Sequence, residues 1–509
     1  MIISLSVLVI TIIVSGTYAL YKAQLSKNIG VNTTTHGLAY YINYVKGTDI
    51  TAATLNPSTS YESGASSDIE FWKKDDSYDI YGKIDLTVNT IGTNLKNSPA
   101  LKYAVVNNGN VLSTGSLKGT TSGSKVTILK NLYLEQTKQI YTVYVWLDNS
   151  EELGNISNES LSISVDCTAS LQKEPAADTI ISLYTNASKT AVTNNGKDYN
   201  TAPSVSLMND RLGGTTTDLD GGNIRYYGAS PNNYIYFNCS DYSNQTSSTC
   251  ETWRIIGVFD GKLKLIRGSQ IGKYSWDNKN ISTGAEDDRG KNDWTTARLM
   301  KLLNPDDYYI NDNNDKDSEG NYLGYSLYYN SASGMCFTDE GVNYSACDFT
   351  STGIKNDETR NMIAETTYNL GGWNDTGVYP NEIYEYERGT TVYTGRPTTW
   401  TGKIALAYPS DYGYAADLNQ CKQTLANYDN STCTSNNWMK AIITDNGSNH
   451  GWLLTPDSSY SFGAWYSHGN VGEYFTGAAR GAVPVLSLSS KLGIESGDGS
   501  SSNPYKLSA

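Results

Sequence analysis

The sequence is poor in histidine and in positive charge, and each shortage excludes a class of function. Only 3 of its 509 residues are histidine, which leaves little room for histidine-based catalysis or a histidine-rich metal site. Lys and Arg total 38 against 52 Asp and Glu, so the formal net charge is −14. No block of basic residues offsets this charge, and binding to nucleic acid or to an anionic membrane surface is therefore not expected.

Charged residues of both signs are also scarce. They make up 18% of the chain, where soluble domains average about 25%. Tyrosine is abundant instead, with 40 residues against 7 phenylalanines. The length predicts about two to four domains, each with a buried core.

The amino terminus predicts export. Residues 1–21 carry no charge, and Ile2–Ile13 is nearly all aliphatic. About 20 apolar residues can span a bilayer as a helix, and the small residues Thr17 and Ala19 suit signal-peptidase cleavage after Ala19. We predict a signal peptide or membrane anchor over residues 1–22. If the segment is not cleaved, the membrane is one of the partners.

Cysteine spacing agrees with export. Six of the seven cysteines form close pairs separated by ten or eleven residues: Cys239/Cys250, Cys336/Cys347 and Cys421/Cys433. This spacing favours three local disulfides, each closing an exposed loop. The zinc alternative lacks CxxC spacing and supporting histidines. Cys167 remains as a free or intermolecular thiol.

Residues 30–170 follow the period of two that is typical of strands. Tyr81–Asn89 alternates, Leu101–Val106 runs into the turn signal Asn107-Asn108-Gly109, and 125–134, 139–147 and 161–165 continue the series. This pattern predicts an antiparallel, all-β sandwich with Tyr141–Trp146 as a central strand. Residues 171–222, rich in Thr, Asn, Asp and Gly, are predicted to be a linker.

From residue 223 to 509 the period is mixed and predicts an α+β domain with long disulfide-closed loops. Trp253–Ile266 is predicted to be a hairpin that turns at Asp260-Gly261. Asp293 is predicted to cap a helix that ends at Leu303, and a second helix is expected over 356–369. Short strands are expected near 404–407, 452–455 and 483–488.

Two resemblances extend this interpretation. The first 170 residues, with the Gly-Thr-Tyr-Ala run at 16–19, resemble camelysin and biofilm-fibre β-sandwich proteins of Gram-positive bacteria. Residues 224–507 resemble an uncharacterised family of exported Gram-positive gut-bacterial proteins. The matching runs are CETWRIIG at 250–257, RGTTVYTGRPTTW at 388–400, YPSDYGY at 408–414, WLLTP at 452–456 and SGDGSSSNPY at 496–505.

That second family is similar to the C-type-lectin-like fold of formylglycine-generating enzymes and of the variable proteins targeted by diversity-generating retroelements. The resemblance implies a lectin-like head on the surface of a Gram-positive-type bacterium. Relatives read Gly-Val-Arg-Pro near the end, whereas residues 481–484 here are Gly-Ala-Val-Pro. The role of that arginine in the relatives is therefore not transferred.

Enzyme chemistry has weak candidates. A hydrolase would need His36, His450 or His468 as its base, and no nucleophile elbow lies near any of them. A glycosidase needs two carboxylates at a fixed separation. The available ones are Glu286, Asp287, Asp288, Glu385 and Glu387. We expect the protein not to be an enzyme, with a carbohydrate-active enzyme as the third alternative.

No cofactor is expected, with calcium as the alternative. Oxygen ligands alternate in one loop, as Ca²⁺ prefers; they are Asn313, Asp315, Asp317 and Glu319. However, Ser318 stands where a calcium loop of the EF-hand type has glycine, and no Glu closes its twelve-residue frame. A solvated loop is the preferred interpretation.

The segment 458–481 is the most informative. It combines large aromatic residues with Ser and Gly and shows no helix or strand period, a composition typical of adaptable binding surfaces. Trp465 is expected in the core, with Phe475 a second candidate for burial. The residues predicted to bind ligand are Tyr460, Phe462, Ala464, Tyr466, His468, Tyr474 and Phe475. The related family tends to carry Asn here, and adenine-directed mutagenesis of Asn codons would give such substitutions.

These observations predict a cell-surface or secreted adhesion protein. Its partner is expected to be a glycan or protein on another cell, a phage or a host surface. The alternative is a structural subunit of an extracellular matrix or filament.

Overall fold

A computed structural model describes residues 23–24 and 41–508, apart from 52–54, 56, 157–158, 212–221, 280–284, 286–287, 317 and 339–343. The chain divides into two compact units, each described separately below. The N-terminal unit ends at Glu174 and includes residues 493–498 and Ser508. The C-terminal unit comprises residues 175–492 and 499–507. The chain is mostly β-sheet with few helices, which confirms the β-rich part of the prediction.

The export segment predicted over residues 1–22 lies outside the described residues, and so does His36. Within the described part of the chain, no helix has both the length and the apolar character needed to cross a membrane.

Two sheets form the N-terminal unit. The first has the strand order β1-β11-β6-β9 with β3 also paired to β11, and the second has the order β2-β5-β10-β7-β8 with β4 also paired to β10. The strands are β1 (Ala23–Gln24), β2 (Ile42–Val45), β3 (Ile50–Thr51), β4 (Pro57–Ser58), β5 (Ala65–Lys73), β6 (Tyr81–Ile91), β7 (Leu101–Asn107), β8 (Asn110–Ser116), β9 (Lys125–Tyr133), β10 (Ile140–Asp148) and β11 (Leu161–Ser170).

The predicted central strand is confirmed. β10 lies between β5 and β7, and its residues Tyr141, Val143 and Val145 are buried while their neighbours Thr142 and Tyr144 are partly exposed. This alternation places aliphatic and aromatic side chains from both sheets in one hydrophobic core. The predicted hairpin turn is also present, since Asn108 and Gly109 both adopt the left-handed φ that a two-residue turn between β7 and β8 requires.

Cys167 on β11 is a free thiol buried in this core. Burial raises the pKa of the Cys167 thiol, and the charges of Asp85 and Asp166 raise it further. The buried thiol therefore packs as a small apolar side chain.

The C-terminal unit contains two large sheets. One has the order β12-β13-β14-β15-β17-β18-β29-β24 with β16 also on β17, and the other has the order β19-β28-β25-β26-β27. The remaining strands are β12 (Thr190–Asn194), β13 (Lys197–Ala202), β14 (Leu207–Asn209), β15 (Ile224–Tyr226), β16 (Tyr234–Phe237), β17 (Glu251–Phe259), β18 (Lys262–Arg267), β19 (Lys273–Ser275), β20 (Ser333–Phe337), β21 (Tyr344–Asp348), β22 (Thr366–Asn369), β23 (Thr399–Gly402), β24 (Ile404–Ala405), β25 (Gly451–Pro456), β26 (Gly463–Ser467), β27 (Val471–Phe475), β28 (Ala479–Gly481), β29 (Val485–Ser487), β30 (Gly493–Ser496) and β31 (Lys506–Ser508). β30 belongs to the N-terminal unit.

Helices in the described residues are short and lie in the C-terminal unit. They are α1 (Ala176–Asn186), α2 (Arg298–Leu303), α3 (Asp357–Met362), α4 (Pro380–Glu387), α5 (Pro409–Tyr414), α6 (Ser431–Ser435) and α7 (Lys440–Ile443). Asp293 caps a single 3₁₀ turn, and the extended backbone of Ala297 separates that turn from α2. The helix predicted over 356–369 is wrong beyond Met362, because Thr366–Asn369 forms β22 and pairs with β23.

Part of the segment predicted to be a linker is regular structure. Residues 176–209 form α1 and the strands β12, β13 and β14, which extend the larger sheet of the C-terminal unit. Their polar outer faces hide the pattern in the sequence. Val192, Tyr199 and Met208 nevertheless form a small buried cluster with later residues of the C-terminal unit, namely Tyr227, Tyr384, Tyr414 and Leu418.

The three predicted disulfides are confirmed. Cys239–Cys250, Cys336–Cys347 and Cys421–Cys433 each close a loop within the C-terminal unit. Cys336 and Cys347 bridge the paired strands β20 and β21. Three disulfides indicate an oxidising, extracellular environment.

Buried charges lie within the C-terminal unit. Arg225 donates hydrogen bonds to Asp210 at 2.5 Å and to Asp411 at 3.0 Å, and Lys264 also pairs with Asp411. Burial alone would raise the pKa of Asp411, but the charges of Lys264 and Arg225 outweigh it and hold the pKa below its usual value. Each of these charges depends on the others, because an unpaired ion is costly in the interior.

Candidate functional site

The informative segment forms a β-hairpin at the edge of the five-stranded sheet. β26 and β27 pair in register from Gly463 opposite Phe475 to Ser467 opposite Val471. Gly469 at the turn has φ +104°, and the hydroxyl of Tyr412 donates a hydrogen bond to its carbonyl at 2.6 Å. The expectation that this segment lacks strand character is wrong, because aromatic side chains on both faces of the hairpin hide its alternation.

The two faces of the hairpin have different surroundings. Trp465 is fully buried in the core, as expected, and its indole nitrogen donates to the Trp373 carbonyl at 3.2 Å. Tyr466 and Tyr474 lie on the opposite face, where Tyr466 pairs with Gly472 and Tyr474 pairs with Ala464 in the register. A Cβ on Gly472 would come within 3.1 Å of the Tyr466 ring, so the glycine lets that ring lie close across the strand.

Arg480 joins these tyrosines in a group that we call the aromatic–cation cluster: His450, Trp452, Tyr466, Tyr474 and Arg480. The guanidinium carbon of Arg480 lies 3.9 Å from the centre of the Tyr466 ring, 4.3 Å from that of Tyr474 and 5.5 Å from that of Trp452. His450 stacks on Tyr466 with ring centres 5.1 Å apart and on His468 at 4.1 Å. Strand pairing brings together Trp452 on β25, Tyr466 on β26, Tyr474 on β27 and Arg480 on β28, and His450 directly precedes β25.

The aromatic–cation cluster contains a cation, Arg480, that has no acidic partner among the described residues. Arg480 is 9% exposed, donates a hydrogen bond to Nδ1 of His450, and forms no ion pair among the described residues. Its Nε is buried without a hydrogen-bond partner. Burial lowers the pKa of His450 to about 4, helped by the charges of Arg480, His468 and Lys273. His450 is therefore neutral at pH 7, and its Nδ1 accepts from Arg480.

The side-chain amide of Asn292 holds the backbone of the loop between β25 and β26. The side-chain nitrogen of Asn292 lies 2.8, 2.7 and 3.0 Å from the carbonyl oxygens of Asp457, Tyr460 and Gly463, which share its two N–H groups. Arg396 in turn donates to the Asn292 side-chain oxygen at 2.9 Å. The backbone of this loop is therefore fixed before any ligand arrives.

This fixed loop presents Tyr460, which is 54% exposed. Its ring stacks on Phe462 at 5.6 Å, and the guanidinium of Arg289 lies 3.6 Å from the Phe462 ring. Phe475 is half-buried against Tyr474. Ala464 is fully buried and offers no surface for contact.

A carboxyl pair on the hairpin was not predicted from the sequence. Glu473 on β27 is exposed, whereas Asp457 is buried. Burial of its carboxyl raises the pKa of Glu473 to about 8, together with a hydrogen bond to Asp457 and the charges of Asp457 and Asp375.

The other enzyme candidates are dispersed. Glu385 and Glu387 share α4, but Glu387 is fully buried and accepts hydrogen bonds from Ser410 and Arg388. Burial raises the pKa of Glu387 to about 7. Glu286 and Asp287 lie outside the described residues, and Asp288 follows directly after them.

The loop predicted to bind calcium uses one of its carboxylates in buried ion pairs instead. Asp315 is buried and pairs with Arg298 at 2.9 Å and Lys301 at 2.8 Å, so its carboxylate is already neutralised by two cations. Asp317 lies outside the described residues, and among the described ones no group of three or more His, Cys, Asp or Glu side chains could hold a metal ion.

Sequence reasoning missed Arg480, Asn292 and Glu473. Asn292 and Arg480 reach the site through contacts across more than 150 and about 30 residues of chain respectively, and no local pattern marks such contacts.

In comparisons with known proteins, no family model, curated protein or solved structure matches the chain. The geometry described above is therefore the basis for proposing a function.

Proposed function

We propose that this protein is a cell-surface or secreted adhesion protein of a Gram-positive-type bacterium that binds a glycan or a protein. In this proposal the N-terminal unit is a β-sandwich stalk and the C-terminal unit is a C-type-lectin-like head. The ligand contacts Tyr460, Phe462, Tyr466, His468, Tyr474 and Phe475. The protein is not an enzyme and needs no cofactor.

One observation carries the proposal: exposed tyrosines stand on a backbone that is already fixed. Tyr460 is 54% and Tyr474 is 41% exposed, while Asn292 and Arg396 hold the loop and strand pairing holds the hairpin. Rigid aromatic side chains give contact area at a low cost in conformational entropy. Their faces also suit stacking on sugar rings.

The test is a glycan array, with a parallel panel of bacterial and host cell surfaces, probed with the disulfide-intact full chain. The double variant Tyr460→Ala/Tyr466→Ala is expected to lose about tenfold or more in affinity, because central aromatic anchors dominate such interfaces. Tyr344→Ala is the matched control, since Tyr344 is 44% exposed on β21, away from the hairpin. Unchanged binding by the double variant would contradict the proposal.

We also propose that residues 458–480 are diversified between copies of the gene. A template repeat and a reverse-transcriptase gene are then expected beside the coding sequence. Genome sequencing of the source strain checks this, and their absence would remove the diversification from the proposal while leaving ligand binding intact.

The second candidate is a matrix or filament subunit. It is favoured by Val45 on the edge strand β2 and Val111 on the opposite edge strand β8, which are both exposed apolar side chains. Exposed apolar edges promote strand pairing between chains. A filament subunit would elute as multimers in size-exclusion chromatography without any ligand, and Val45→Lys would reduce them.

A further inference from the structure

We propose that the aromatic–cation cluster binds the carboxylate of an acidic sugar, with Arg480 as the cation and Tyr474 as the ring beside it. The inference rests on the proposed function and specifies its ligand: a glycan that contains uronate-type residues. A ligand carboxylate would supply the counter-ion that Arg480 lacks.

The first support is the unsatisfied guanidinium. Nη1 of Arg480 donates to His450, whereas its buried Nε has no partner. A carboxylate binds a guanidinium side-on through two parallel hydrogen bonds, and Nε of Arg480 is a donor that no described residue engages. A buried donor without a partner is costly, and a ligand oxygen would remove that cost.

The second support is local charge. The chain carries −14 overall, yet among the described residues the charges that lower the pKa of His450 are those of Arg480, His468 and Lys273. Burial lowers the pKa of Arg480, the tyrosines Tyr466 and Tyr474 raise it, and no carboxylate among the described residues forms an ion pair with it. Lys273 is exposed on β19, the strand that pairs with β28. The cluster is thus a positive site on a negative protein.

The third support is the ring beside the cation. Tyr474 lies against the guanidinium at 4.3 Å and is 41% exposed. A pyranose ring presents C–H groups to an aromatic face while its carboxylate extends to the side. An acidic peptide would use the cation but not the ring, and this difference separates the two ligand classes.

The experiment is calorimetric titration of the full, disulfide-intact chain with three probes: tetragalacturonic acid, its methyl ester and tetraglutamate. The acid is expected to bind at least tenfold more tightly than the ester and than tetraglutamate, with an affinity that falls as salt rises. Arg480→Gln and Tyr474→Ala are each expected to weaken binding of the acid about tenfold. Arg480→Lys keeps the charge but not the side-on geometry, and an intermediate loss is expected.

Lys316→Gln is the matched control, because Lys316 also lies over a tyrosine ring, that of Tyr322 at 4.5 Å, away from the hairpin. Thermal melting of each variant, with its disulfides intact and after their reduction, verifies that the variant is folded. If Arg480→Gln is not folded, Arg480→Lys and the ester comparison decide.

Different failures have different meanings. Equal binding of acid and ester, or binding unchanged by both Arg480 variants, overturns the acidic-sugar inference, and neutral glycans that bind in a Tyr460-dependent way would still support the proposed function. Equal binding of tetraglutamate, unaffected by Tyr474→Ala, also overturns it in favour of an acidic peptide. Loss of all ligand binding on the array, including neutral glycans and proteins, contradicts the proposed function itself.

Discussion

The two units of this chain reach a stable core by different means. In the N-terminal unit the core is mainly aliphatic with a few aromatic side chains, strands alternate regularly, and its one described cysteine is a buried thiol. In the C-terminal unit the core contains tryptophans and tyrosines, buried ion pairs and all three disulfides. The stability of the N-terminal unit depends mainly on apolar burial, which any pair of sheets can supply. The stability of the C-terminal unit also depends on specific pairs of side chains, namely the disulfides and the ion pairs.

This difference is one reason why we propose that recognition belongs to the C-terminal unit. A core that disulfides and ion pairs hold together can support long loops and an aromatic hairpin. Strands with a regular alternation of apolar and polar residues would not allow such a hairpin. The costly features of the C-terminal unit, such as Arg480 without an ion pair among the described residues and Glu473 beside Asp457, lie on or next to the hairpin of β26 and β27. Local departures from the rules of stable packing are typical of functional sites.

The largest expected effect comes from breaking the buried ion network. Asp411→Asn leaves Arg225 and Lys264 without their shared anion, and we expect the C-terminal unit to lose about 3–5 kcal/mol. The counterpart in the N-terminal unit is Asp166→Asn, which removes a partly exposed pair with Lys46 at 3.2 Å and is expected to cost about 0–1 kcal/mol.

Denaturant unfolding, followed by tryptophan fluorescence, measures the free energy of unfolding of both variants. A cost below about 1 kcal/mol for Asp411→Asn would show that the two units do not differ in their dependence on charge pairs.

A smaller effect is expected from the disulfides. Opening the loop between Cys336 and Cys347 removes a constraint that spans 11 residues of sequence, worth about 2–3 kcal/mol in the chain-entropy model. Cys336→Ser/Cys347→Ser is therefore expected to lower the melting temperature of the C-terminal unit alone. Cys167→Ser is the comparison in the N-terminal unit, and thiol titration under native and denaturing conditions checks that wild type contains one sulfhydryl. Seven titrating sulfhydryls would contradict the extracellular interpretation.

The same contrast explains what the sequence could predict. β10 was predictable because burial alternates along Tyr141, Val143 and Val145, so periodicity alone carries the information. The helix over 356–369 was wrong because Thr366 and Tyr368 pair with β23, a tertiary contact that overrides local preference. The disulfides were predictable because their partners are near in sequence.

The site was only partly predictable for the same reason. Composition identified Tyr460, Tyr466 and Tyr474, since an aromatic-rich loop of Ser and Gly is visible in the sequence itself. It did not reveal that Ala464 is buried, because that depends on the register of β26 against β27. Arg480 and Asn292 become functional candidates only when strand pairing and loop packing bring them to the hairpin.

The smallest expected effect concerns pH. Glu473 has a folded-state pKa of about 8, above its usual value of 4.5. Between these values the folded chain holds a proton that the unfolded chain has lost, so the stabilising contribution is complete below pH 4.5 and is lost as the pH rises through 8. Because the side chain is exposed, we expect the loss to be about 1 kcal/mol.

Glu473→Gln is expected to remove that part of the pH dependence, so that the variant equals wild type at pH 5 and exceeds it at pH 9. Asp457 and Asp375 carry the charges that oppose ionisation of Glu473, and Asp375→Asn should therefore reduce the same loss only in part. Glu387, with a pKa of about 7, contributes its own loss over the same range and is unchanged in both variants. Unfolding curves of the C-terminal unit from pH 5 to 9 measure the difference. An equal decline in wild type and Glu473→Gln would show that the carboxyl pair on the hairpin does not share a proton.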